Sequence, residues 1–255
     1  QHLAIKDAVK RICNDFGDDY WLERDNDGEF PEEFVKAITE GGWLGIAMPE
    51  AYGGSGLGIS EAVVLAHTIA RSGAGFSGAS AIHLNLFGPN PIVVFGTEAQ
   101  KSRFLPRLIQ GQDRACFGVT EPNSGLNTSM LQTRAVRDGD NYVINGTKLF
   151  ITNGPVADVC LLYAKTQPGQ GSKGVTAFVV KTDSPGFRVA QKLTKMGFRG
   201  SQTAELVFED LVVPKENIIG DENQGHKVVM GGLDFERATI APISVGIAER
   251  ALTLS

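Results

Sequence analysis

Glu236 and Arg237 are adjacent, and Asp234 lies two residues earlier, in a stretch of helical spacing. A carboxylate held out of water beside a cation can accept a proton, whereas the same residues in water are an ordinary charged helix face. Thr120 and Thr152 lie near Phe117, Val119 and Phe150 in the sequence, toward the β-rich middle of the chain. Hydroxyls beside an apolar wall can polarise a flat ligand, although such residues alone read as strand threonines and core aromatics. Lys192, Lys195 and Arg199 fit either a phosphate-facing cluster or plain surface charge. The cysteines Cys13, Cys116 and Cys160 form no CxxC pair, and His2, His67, His83 and His226 show no i,i+4 or HExxH spacing, so no metal site is expected. The glycine run from Gly53 to Gly58 lacks GxGxxG spacing and follows a Pro-Glu turn, which argues for a loop and against a dinucleotide fold. Neither a GxxxxGK[ST] phosphate loop nor a GxSxG elbow occurs.

The 255 residues are 42% hydrophobic and 21% charged, enough for one large or two medium cores. A net charge of −5 gives no basic excess for nucleic acid, and no apolar run approaches the ~20 residues needed for membrane insertion. The scattered cysteines suit a reducing compartment, and the start at Gln1 is compatible with a removed leader.

The fold class expected is α+β. Residues 1–113 read as an N-terminal α-helical domain. Pro31-Glu32-Glu33 opens one helix that Gly41-Gly42 stops, Ser60 is positioned to cap another, and Thr97 with Gln100 forms a capping box. Residues 114–222 read as a middle antiparallel β domain, with tight turns at Asp138-Gly139 and Asn145-Gly146. Residues 223–255 regain helical periodicity as the beginning of a C-terminal helical domain. Pro242 predicts a kink or break there, and an apolar face still unpartnered at Ser255 reads as an incomplete chain.

Five fragments carry a resemblance. These are Pro49 to Gly54 (PEAYGG), Phe95 to Thr97 (FGT), Cys116 to Gly125 (CFGVTEPNSG) with Gly146 to Gly154 (GTKLFITNG), Lys195 to Ser201 (KMGFRGS) and Leu233 to Arg237 (LDFER). In this order, on an α, then β, then α layout, the chain resembles the acyl-CoA dehydrogenase family over its whole length. The resemblance implies an FAD enzyme that converts an acyl-CoA to the trans-2-enoyl-CoA and passes electrons to an electron-transfer flavoprotein, as a homodimer or homotetramer. It implies a cytoplasmic location in a bacterium, and the mitochondrial matrix or peroxisome in a eukaryote. Phe117, Val119, Thr120, Phe150 and Thr152 match positions lining the flavin. Asp234, Arg237 and Ser124 match positions near the substrate, and Glu236 stands where the isovaleryl and long-chain branches carry the base. Where the family has Ser-Asp after the glycine of that third motif, this chain has Leu126-Asn127. The same fold also hosts flavin oxidases and monooxygenases, and a truncated chain could be a non-catalytic binding protein.

Overall fold

A computed structural model describes residues 1–255. Seven α-helices come first: α1 (His2–Cys13), α2 (Asp18–Asp27), α3 (Glu32–Glu40), α4 (Ile59–Ile69), α5 (Gly75–Phe87), α6 (Asn90–Phe95) and α7 (Glu98–Ile109). The α7 start follows directly from sequence. Gln100 N–H donates to the Thr97 hydroxyl at 3.2 Å, and Thr97 N–H donates to the Gln100 side-chain oxygen at 2.9 Å. At α4 the cap expected of Ser60 is instead at Gly58, whose N–H donates to Glu61 at 2.9 Å. Placing the start there turns Ala62, Leu65, Ala66 and Ile69 into the core, while Val63 and Val64 are only half-buried.

Eight strands follow: β1 (Ala115–Gly118), β2 (Arg134–Asp138), β3 (Asn141–Thr152), β4 (Val159–Lys165), β5 (Val175–Lys181), β6 (Phe187–Lys192), β7 (Thr203–Pro214) and β8 (Ile218–Ile219). They run in the order β6-β7-β3-β2-β4-β5-β8, with β1 paired to β4. Antiparallel pairing dominates, but β1–β4 and the single β2–β4 contact are parallel. Asn145-Gly146 makes no turn. It is a bulge inside β3, where the register against β7 shifts between Ile144 and Gly146, because Asn145 ties across to Asp210 by two hydrogen bonds. The two runs flanking it are therefore one strand, and likewise 205–208 and 211–213 merge into β7.

β4 and β5 are buried on both faces, which explains their unbroken apolar runs. Cys160, Leu162, Phe178 and Val180 fill a core inside the folded sheet, whereas Val159, Leu161, Tyr163, Ala177 and Val179 pack under Phe104, Leu105 and Leu108 of α7. A third core lies among α1 to α5 and includes Ile243. Ile243 belongs to α8 (Gly225–Leu254), which crosses α4 and α5 and continues unbroken through Pro242. Proline removes one helical hydrogen bond, and the burial of Thr239, Ile243 and Gly246 on either side of it holds the helix together. No helix is long and apolar enough to cross a membrane.

Candidate active site

Strand alternation decides which way β1 presents its side chains. Cys116 points into the sheet core, so Phe117 faces the helices, and the segment leaving the strand carries buried Val119 and half-buried Thr120. The second wall is the end of β3, where Leu149 N–H donates to the Thr120 carbonyl at 2.8 Å. Immediately beyond, Phe150 adopts φ 61°, a left-handed conformation costly for an aromatic residue, and its side chain is 64% exposed. Ile151 returns to the core, leaving Thr152 half-buried on the opposite side. The structure thus brings Phe117, Val119, Thr120, Phe150 and Thr152 onto two adjoining segments.

An aromatic chain leads from this wall to α8. Phe117 packs edge-on against Tyr163 and Phe87, each at 5.3 Å between ring centroids, and Phe87 packs on His83 at 4.7 Å. His83 in turn lies against the main chain of Glu236. Glu236 is half-buried, and this burial raises its carboxyl above the usual range, with Arg237 only partly opposing it. Asp234 and Arg237 are exposed and face each other across 3.4 Å, so they remain in water on the same helical turn as that carboxylate.

Ser124 is buried and its hydroxyl donates to the Asn127 carbonyl at 2.8 Å; the Ser129 hydroxyl donates to Asn127 Oδ1 at 2.6 Å. Both hydroxyls are therefore engaged within the turn, and Leu126 beside them is fully exposed. Lys192 and Arg199 pair with Glu29 and Asp25 of the helical layer, while Lys195 donates to the Ser201 carbonyl.

Three residues near the wall carry buried polar atoms whose burial the sequence does not mark. His83 Nε2, Tyr163 Oη and both side-chain polar atoms of Asn153 have no hydrogen-bond partner. A histidine inside the apolar run of α5 is the one signal that could have drawn notice. Burial lowers the His83 pKa from 6.5 to about 4, so the ring is neutral near pH 7. A depressed folded value means that its stabilising contribution is present above 6.5 and is lost as pH falls toward 4. Denaturant unfolding of His83→Phe should consequently show a shallower loss of stability between pH 7 and 5 than the parent. Parallel slopes would show that His83 does not carry this dependence.

An apolar wall, two threonines at its rim and unpaired buried polar atoms beside it suit a flat ring with polar edges, as in a flavin. Comparison with known proteins agrees. The family model described as acyl-CoA dehydrogenase, N-terminal domain matches residues 1–112, and that of the middle domain matches residues 116–211. The mitochondrial isovaleryl-CoA dehydrogenase of Pongo abelii is 42% identical over 233 residues, 91% of this chain and 55% of its own length. The chain thus spans just over half of that relative. Butyryl-CoA dehydrogenase from Megasphaera elsdenii superposes with a TM-score of 0.91 at 37% identity, covering 98% of this chain and 67% of the other. The FAD complex of PigA superposes with a TM-score of 0.93 at 27% identity, covering 99% and 66%.

Proposed function

The chain belongs to the acyl-CoA dehydrogenase family, and from that premise we propose that it forms the flavin and base portions of an enzyme that oxidises an acyl-CoA thioester to the trans-2-enoyl-CoA. The observation that carries this reading is the half-buried Glu236, its carboxyl raised by burial, joined through His83, Phe87 and Phe117 to the wall proposed to hold the flavin.

FAD, when bound, supplies acceptance of the hydride that leaves the β carbon. The chain's own residues do the rest. Phe117 and Val119 would shield the ring from water, Phe150 would cover its outer rim, and Thr120 and Thr152 would offer donors to its polar edge, where negative charge grows. Glu236 takes the proton from the α carbon onto its carboxylate, which burial has made a stronger base than a solvated one. Asp234 and Arg237, exposed on α8, are offered as contacts for the substrate's polar tail, and Ser124 as a fixed corner of the turn beside it. An electron-transfer flavoprotein is the proposed acceptor, reached through the exposed Phe150 rim.

Anaerobic addition of acyl-CoA esters, straight and branched, to the FAD-loaded protein should bleach the flavin, while the free acids should not, since the coenzyme A portion positions the acyl group. Bleaching by a nitroalkane with none from any thioester, or rapid reoxidation by air, would replace this reading with an oxidase or monooxygenase.

A further inference from the structure

β3 contains a lysine with no access to water. Lys148 and Glu121 have 0% and 4% of their side chains exposed and meet at 2.8 Å. The ammonium also donates to the Val119 carbonyl at 2.9 Å. Glu121 accepts from Gln132 N–H at 2.5 Å and Thr133 N–H at 3.0 Å, which closes the loop between β1 and β2. Desolvating both charges costs more than a pairing of this kind commonly returns, so stability alone does not explain the pair. Burial brings the Lys148 pKa down to about 8 despite its partner, the same balance seen from the titration side.

Its position does explain it. Val119 and Thr120 form one wall of the flavin site, and Phe150 begins the other two residues after Lys148. The β3 register against β7 shifts between Lys148 and Ile151, so the strand leaves its ladder at this lysine. We propose that Lys148 is a positioning residue for the cofactor: by tying the Val119 carbonyl and Glu121 to β3 at the onset of its bulge, it sets the spacing between the two walls. The assignment rests on the FAD reading above. A wall displaced by a fraction of an ångström loses contact with the ring while the cores on either side stay intact.

The test compares two charge-free pairs in the complete protein. Glu121→Leu with Lys148→Met fills the space but removes the tie. Glu121→Gln with Lys148→Gln keeps a donor for the Val119 carbonyl. FAD affinity is read by quenching of flavin fluorescence, and folding by thermal melting of the cofactor-free protein. The Leu/Met pair should fold but melt below the parent, because it leaves Gln132 N–H, Thr133 N–H and the Val119 carbonyl without their partners. It should bind FAD about tenfold or more weakly and with a shifted visible spectrum, the effect of losing a hydrogen bond from a charged donor. The Gln/Gln pair should recover most of that affinity. Parental affinity and spectrum in the Leu/Met pair overturn the proposal. So does a Leu/Met pair that fails to fold alongside a folded Gln/Gln pair with parental affinity and thermal stability lowered in proportion, since the role is then structural. A parent that takes up no FAD overturns the cofactor reading itself, a separately visible result.

Discussion

Glu236→Gln is expected to leave FAD content and acyl-CoA binding nearly unchanged while slowing reductive bleaching about a thousandfold, within the range set by removing a general base from a transition state. The substitution preserves shape and deletes only the ability to accept a proton. Two companion effects follow from burial of the carboxyl. Because its folded pKa is raised, ionisation costs stability once pH climbs above the unfolded value, so the Gln variant should be somewhat more resistant to denaturant near pH 7. The parent's bleaching rate should rise with pH through a value above the ordinary carboxylate range, and the variant's should be flat there. Stopped-flow reduction across pH reads both. A variant that bleaches at close to the parental rate would clear Glu236 of the role, and proton abstraction would have to be sought elsewhere in the protein.

Phe178→Ala should produce the largest loss of stability of any single change in the β domain, about 3–5 kcal/mol on denaturant unfolding, as for other aromatic truncations in closed cores. Phe178 is fully buried on β5, registers with Leu162 on β4 and Ile218 on β8, and packs edge-on against Tyr142 at 5.3 Å. Leu162 and Tyr142 sit on β4 and β3, each paired on both sides, so they have little freedom to collapse into the void. A typical domain has only about 5–15 kcal/mol in total, so the variant would approach the limit of a folded population. A loss below about 1 kcal/mol would mean that the sheet core relaxes around the gap, contrary to the packing described.

How much of this was legible beforehand depends on how local each feature is. The Thr97–Gln100 box was readable because both partners lie within one helical turn. Asn145-Gly146 was misread because the dipeptide that makes a tight turn also makes a bulge, and only the distant partner Asp210 decides between them. The cap at Gly58 escaped because glycine has no side chain to mark a cap, and the bond made there runs from Gly58 N–H back to Glu61, a side chain inside the helix. Within the site, the paired walls could be found through resemblance to known motifs, but not the reason that they hold their shape. Lys148 and Glu121 are 27 residues apart and meet only through the β3 register. A lysine in an otherwise apolar strand run was the visible trace of it. The backbone turn that throws Phe150 outward left no trace, since nothing in a phenylalanine announces a positive φ.

The double-sided burial of β4 has a consequence for how the molecule comes apart. Its odd-numbered side chains belong to the core shared with α7, and its even-numbered ones to the core inside the sheet. Opening β4 therefore exposes both interiors at once, which makes small excursions there as costly as complete unfolding. Amide protons along Val159 to Ala164 should be the last to exchange with deuterated solvent, at a rate set by the global transition. The join near residue 113 divides the chain by shape, yet β4 rivets the two sides into one cooperative unit. Anything that grips β1, its parallel neighbour, would be felt by the helices and the sheet together.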